Sequence, residues 1–211
     1  MKTLGKTVTA EEIPADMVEK AKEYRQKMVE SAAEQDDALM EKFFAGEELT
    51  VDEIKKAIRK GCIARTITPA FCGSAFKDKG VQQLLDGVCD YLPSPLDAGP
   101  AVSADDPSQK REPSDAEPFC GLAFKIMNDP KSGGKITFVR VYSGTLKLGA
   151  ELLDSTINRE QRISRLFRMH AAKQEPLDEA HAGDIVACVG LTETRTGDTL
   201  CDPEHPITLE S

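Results

Sequence analysis

Apolar residues recur every three or four positions along the first part of the chain: Met17, Ala21, Tyr24, Met28, Ala32, Leu39 and Phe43. That spacing predicts an amphipathic helical stretch over 14–44, with Pro14 in its first turn, where a missing N–H costs nothing. The opposite face carries Glu19, Lys20, Glu23, Lys27, Glu30 and Glu34. Gly46 interrupts the pattern, and Thr50-Val51-Asp52-Glu53 forms a capping box that opens a second helix ending near Gly61. Ile63, Ile67, Phe71 and Cys72 then lie among β-branched neighbours, which predicts a strand near 66–72. Pro69 limits its hydrogen bonding to an edge or a bulge. After the loop Gly73–Gly80, the residues Val81, Leu84, Leu85, Val88 and Leu92 mark one face of a further helix. The order strand, loop, helix is that of an α/β unit.

The period changes again beyond a proline-rich stretch. Residues 93–118 hold six of the twelve prolines and show no apolar periodicity, which predicts an extended linker. From 119 to 211 short β-rich runs alternate with turns: FCGLAFKIM, KITFVRVYSG, AELLDS, QRISRLFRM, DIVACVGL and DTLC. Strands at spacings near ten residues predict a small antiparallel barrel of about six strands. The expected organisation is 1–92, a linker at 93–118, and a barrel at 119–211.

Composition narrows the function classes. The 211 residues carry a net charge of −9, which argues against a DNA-coating protein but leaves room for RNA contact by a local basic face. The linker is the most acidic stretch for its length. No apolar run approaches the roughly 20 residues needed to span a bilayer, and the N-terminus lacks the apolar core of a secretory signal. The six cysteines form no C-x-x-C pair and the three histidines fall at no ligand spacing, so no metal site and no disulfide framework are expected.

Leu4-Gly5-Lys6-Thr7 ends like a P-loop, but no apolar strand precedes it to aim a helix at phosphates, and the first glycine of the motif is missing. Gly133-Gly134-Lys135 is followed by Ile136 and reads as a hairpin turn. Neither D-x-x-G nor N-K-x-D occurs, so the chain has no grip for magnesium or guanine of the kind phosphoryl transfer requires. No serine, histidine and acid suggest a nucleophilic triad. No catalytic residue is therefore expected.

The strings ELTVDEIKKAIRKG, CGSAFKDKGVQQLLDGVCDYLPSPLD, GKITFVRVYSGTLKLGA, RISRLFRMHA, AGDIVACVGL and TGDTLCDPEHPITLES resemble, in order and spacing, the bacterial-type elongation factor G family of ribosomal translocase GTPases. Ribosomal protection proteins and class-II release factors share the architecture. The resemblance implies an α+β multi-domain fold: the helical G-prime insertion and terminal strand–helix of a Ras-like α/β GTPase domain, then a translation-factor-type antiparallel β-barrel. It also implies a fragment. The parent would bind GTP with magnesium and drive translocation in the cytoplasm; this piece, lacking the phosphate motifs, would bind neither and hydrolyse nothing.

The same resemblance assigns candidate sites. Ser74, Ala75 and Phe76 match the last guanine-nucleotide motif, in which the serine and the Ala75 N–H help read the base. The polar faces of the helices would meet the ribosomal stalk protein. The barrel would touch small-subunit ribosomal RNA through cations facing phosphates, with tRNA and mRNA met only indirectly and no membrane or DNA partner. Regular alternation over 161–169 would place Arg162, Ser164, Leu166 and Arg168 on one face, and Lys125, Lys135 and Arg140 are further candidates. Ser132-Gly133 departs from the bulkier apolar residue of many relatives and would loosen that loop. The competing expectations are a stand-alone non-catalytic ribosome- or RNA-binding module, and a recycling or ribosomal-protection paralogue.

Overall fold

A computed structural model describes residues 11–129, 134–171 and 173–210. The pseudo-P-loop at 4–7 and the Ser132-Gly133 turn lie outside them. The chain divides into two compact units, residues 1–94 and 95–211.

The first unit is helical. A single turn at Ala15–Met17 leads into α1 (Val18–Ala33), followed by α2 (Asp37–Phe44), α3 (Val51–Ala64) and α4 (Val81–Tyr91). The stretch expected as one helical pattern breaks at 34–36, because Asp36 turns extended and its carboxylate accepts the Ala38 N–H, capping a new helix. The capping box before α3 is complete: Thr50 Oγ1 accepts the Glu53 N–H, and Glu53 Oε2 accepts the Thr50 N–H at 2.9 Å. Lys42 bonds the same carboxylate at 2.6 Å and, with the two Thr50 bonds, holds Glu53 down to about 2. The helix runs past Gly61 to Ala64 and stops at Arg65, which adopts a left-handed conformation. Ala32, Ala33, Leu49, Ile54 and Ala57 form the small core, with Leu39 and Phe43 packed against it.

Two expectations fail in this unit. Residues 66–72 form no strand: Thr66 and Ile67 turn back to bond the Gly61 carbonyl, and no described strand of this unit lies alongside to supply a ladder. The apolar face expected for α4 is also not its packed face. Leu84, Leu85, Val88 and Leu92 are exposed, and the helix seats through Gly87, where an added Cβ would come within 2.3 Å of the Phe71 ring. Its C-terminal end is tied to α3 by Lys55 to Asp90 at 2.7 Å and by Arg59 to the Asp90 and Leu92 carbonyls.

The second unit begins inside the proline-rich stretch. A short helix α5 (Pro95–Ala98) precedes a two-stranded ribbon of β1 (Ala101–Val102) and β2 (Lys110–Arg111). The stretch is tied down rather than extended: Ala104 N–H bonds Thr208 O, Ser143 Oγ donates to Pro118 O, and Ala182 N–H bonds Asp115. The remaining strands are β3 (Cys120–Asp129), β4 (Gly134–Ser143), β5 (Leu146–Lys147), β6 (Glu151–Asp154), β7 (Arg159–Arg162), β8 (Arg165–His170), β9 (Lys173–Pro176), β10 (Glu179–Ala180), β11 (Ile185–Val189) and β12 (Thr199–Cys201). Eight of them make one antiparallel sheet in the order β7-β6-β12-β3-β4-β11-β8-β9, and β5 pairs with β10. The sheet curls on itself: Leu152 of β6, Leu200 of β12, Val139 and Val141 of β4, Val186 and Cys188 of β11, and Leu166 of β8 share one core.

The 161–169 run is not one regular strand. Ile163 and Ser164 leave the ladder, with Ile163 N–H bonding Ala150 O and Ser164 N–H bonding Val189 O. Gly190 permits that crossing: it has φ +114°, and a Cβ there would lie 2.3 Å from the Arg162 carbonyl. Arg162 and Ser164 before the break are exposed while Leu166 beyond it is buried in the core, so the four residues do not share one face.

Candidate functional site

The Ser74–Lys79 segment closes on its own backbone. Ser74 N–H bonds Lys79 O at 2.9 Å, Lys79 N–H bonds Ser74 O at 3.1 Å, and Lys77 N–H bonds the same carbonyl. Asp78 takes a left-handed conformation to complete the turn, with Gly80 following it into α4. Ser74 is half-buried, Ala75 is exposed at the start of a single 3-10 turn, and Phe76 is 99% exposed. The three sequence-predicted residues thus stand together on a preformed loop. No group of three metal-ligating side chains occurs among the described residues.

The five cations expected on the barrel do not converge on one point. Lys125 lies on β3 just after a bulge, opposite Phe138, and its ammonium sits 5.9 Å from that ring. The bulge puts Phe124 on the same side, 41% exposed and 6.4 Å from the Phe138 ring centre. Arg140 stacks over Tyr142 at 4.9 Å and lines a small cleft with Pro95, Pro100 and Pro113. Lys135 is half-buried and donates to the Thr192 carbonyl at 3.1 Å and to the Thr194 carbonyl. Arg162 donates from Nε to the Gly149 carbonyl at 3.0 Å, and Arg168 lies 3.7 Å from Asp184. Lys125 and Arg140 therefore occupy the outer face of β3 and β4, while Lys135 serves the loop between β11 and β12.

That loop is anchored by a buried polar group that local sequence patterns do not reveal. Asp154, fully buried, accepts from Thr194 Oγ1 at 2.9 Å; Gln161 donates to Thr194 at 2.7 Å and accepts the Glu193 N–H. Burial pushes the Asp154 carboxyl above its ordinary value, a shift the Thr194 hydrogen bond opposes. The partners come from β6, β7 and the far loop, so only the register brings them together.

Residues 134–201, spanning β4 to β12, match the family model described as elongation factor Tu domain 2. The barrel of the second unit is therefore similar to that translation-factor domain. The chain is also similar to the crystal structure of a protein from Thermus thermophilus, with a TM-score of 0.69 and 26% identity over 93% of this chain. The chain spans 27% of the length of that solved protein. Among the described residues no helix is long and apolar enough to cross a membrane.

Proposed function

We propose that the chain is a segment of an elongation-factor-G-type translocase, the ribosomal GTPase that moves tRNA and mRNA, and that it works in the cytoplasm. The first unit is read as the G-prime insertion and the closing loop and helix of the GTPase domain, and the second as domain II. The observation that carries this reading is the order within one chain. A self-closed Ser74–Lys79 turn leading into α4 precedes a barrel of the elongation factor Tu domain 2 type. In this reading the barrel touches small-subunit ribosomal RNA, and the polar faces of α1 to α3 meet the stalk protein. The chain relays nucleotide state rather than hydrolysing GTP. GTP and its magnesium would be held by the rest of the parent protein, and Ser74 and Ala75 would contribute to the guanine end alone.

Lys125 and Arg140 are the first cations to test, because the outer β3–β4 face presents them beside aromatic rings. Each phosphate contact removed flattens the salt dependence of binding by about one unit of slope. Lys125→Glu in the full-length protein should weaken ribosome binding and flatten that slope, measured by pelleting over a salt series. Unchanged affinity would remove the barrel face from the reading. Calorimetry of this chain with GTP should give no micromolar isotherm.

The complete core of the barrel favours one second reading, a stand-alone non-catalytic ribosome- or RNA-binding module. It predicts that the chain alone binds ribosomes as tightly as the full-length protein. A recycling or ribosomal-protection paralogue separates from a translocase in a translocation assay.

A further inference from the structure

Cys120 and Cys201 are direct cross-strand neighbours on β3 and β12, and both are fully buried. The ladder around them fixes what kind of pair they are. Asp202 N–H bonds Phe119 O on one side, and Ala123 N–H bonds Asp198 O further along. Bonded pairs alternate with non-bonded ones in an antiparallel ladder, so Phe119–Asp202 and Gly121–Leu200 are bonded positions and Cys120–Cys201 is a non-bonded one. At such positions the Cα atoms approach to about 4.5 Å and the side chains are closest. That separation lies within the range of about 4.4–6.8 Å that a disulfide spans.

We propose that Cys120 and Cys201 form a latent disulfide, an oxidation site for hydrogen peroxide that joins β3 to β12 when the segment 203–209, a tail laid over the two strands, lifts from the barrel. The tail is the cover. Ile207 and Leu209 pack over the two cysteines together with Ala101, Tyr142 and Leu153. It is held by Ser155 Oγ donating to Ile207 O at 2.8 Å, Thr208 Oγ1 donating to Ser155 Oγ at 3.1 Å, Leu209 N–H bonding Thr199 Oγ1 at 3.0 Å, Ala104 N–H bonding Thr208 O and Arg111 donating to His205 O at 3.1 Å, with Ser103 and Leu209 forming an antiparallel bridge. With the tail down both thiols are held above their ordinary values, foremost by burial, Cys120 at about 12, and they stay protonated and unreactive. With the tail up, the Cys201 thiolate attacks one peroxide oxygen. The O–O bond breaks, leaving a sulfenic acid and a hydroxide that takes a proton to become water. The Cys120 thiolate then attacks the sulfenic sulfur, the S–S bond forms, and the S–O bond breaks to release a second water. Two thiols and one peroxide thus give one disulfide and two waters.

The third buried cysteine is an internal control. Cys188 faces Thr137 on one side and Leu166 on the other, with no cysteine opposite. In the whole chain carrying Cys62→Ser, Cys72→Ser and Cys89→Ser, three thiols remain. Peroxide should lower the titre measured in denaturant from three to one, and non-reducing peptide mapping should find a single linked peptide joining Cys120 to Cys201. Dithiothreitol should restore all three, and Cys120→Ala should abolish the link. Thr199→Val removes a tail bond without changing side-chain volume; losing one such bond should speed the linkage by about tenfold. If the titre stays at three in Thr199→Val, or the two cysteines are oxidised separately to sulfinic acids with no linked peptide, the proposal is wrong. Protection of β4 and β11 amides from hydrogen exchange shows in the same samples that the barrel is intact.

Discussion

The two units of this chain solve the burial problem to different degrees. The barrel closes over twelve buried residues drawn from both ends of its sheet, and its polar interior at Asp154, Gln161 and Thr194 is bonded. The helical unit buries five apolar side chains among its described residues, three of them alanines, and leaves Phe71, Phe76, Leu84, Leu85, Val88 and Leu92 at its surface. Apolar area removed from water stabilises at about 25 cal/mol per Å², so a unit built on alanines gains little per side chain. The barrel is organised to be stable by itself. The helical unit presents apolar surface that its described residues do not cover.

The sharpest way to break that comparison is to truncate each core. Leu200→Ala, at a site with no exposure on β12, should cost about 3–5 kcal/mol in urea melts, because the surrounding strands cannot collapse into the cavity. Ile54→Ala in the helical unit should cost about 2–3 kcal/mol, since its thin core relaxes more readily. An equal or larger loss at Ile54 would show that the two cores are equally rigid.

The capping box is the next test. Thr50→Ala should cost about 1 kcal/mol and lower the helical unit's stability alone, read as faster exchange of α3 amides with no change in β4 or β11. The smallest effect is expected on the exposed face of α4: Leu85→Gln should change stability by less than about 0.5 kcal/mol, although the sequence pattern marks Leu85 as core.

Asp154 sharpens the comparison through pH. Its folded value lies above its unfolded one, so the folded state holds the proton more tightly. The associated stability is fully present below the ordinary carboxylate range and is lost as pH rises through the raised value. Asp154→Asn keeps an acceptor for Thr194 Oγ1 and cannot ionise. Melts in acid and at neutral pH should therefore show the wild-type barrel losing stability relative to this variant as pH rises. Parallel curves would mean that the buried carboxyl is solvated after all.

Local features were legible in the sequence and long-range ones were not. The capping box at Thr50–Glu53, the α4 span and the β-rich runs of the barrel all rest on neighbours within a few residues, and they stand where expected. The Asp36 cap was equally local, but it lay inside an unbroken apolar period that masked it. The 66–72 segment has strand chemistry and no strand beside it, because pairing is a property of two segments. Alternation failed at 163–164 because a backbone crossing at Gly190 intrudes there. Among the candidate residues, the clustering of Ser74, Ala75 and Phe76 followed from adjacency. The partners of Lys135, Arg162 and Arg168 lie far along the chain in every case, and no periodicity encodes them.

The extra residue at Phe124 has a consequence for how this barrel tolerates change. Because it is counted on β3 but not on β4, it acts as a phase shift: Ala123 faces inward, and Lys125, two places later, does not. Deleting Phe124 would leave Ala123 opposite Val139 and Lys125 opposite Phe138, so the strand would lose a ring and a bend but keep its parity. Deleting its neighbour Ala123 would instead slide the Phe124 ring into the inward place opposite Val139, which now holds only a methyl group. The strand can therefore lose Phe124 at less cost than Ala123.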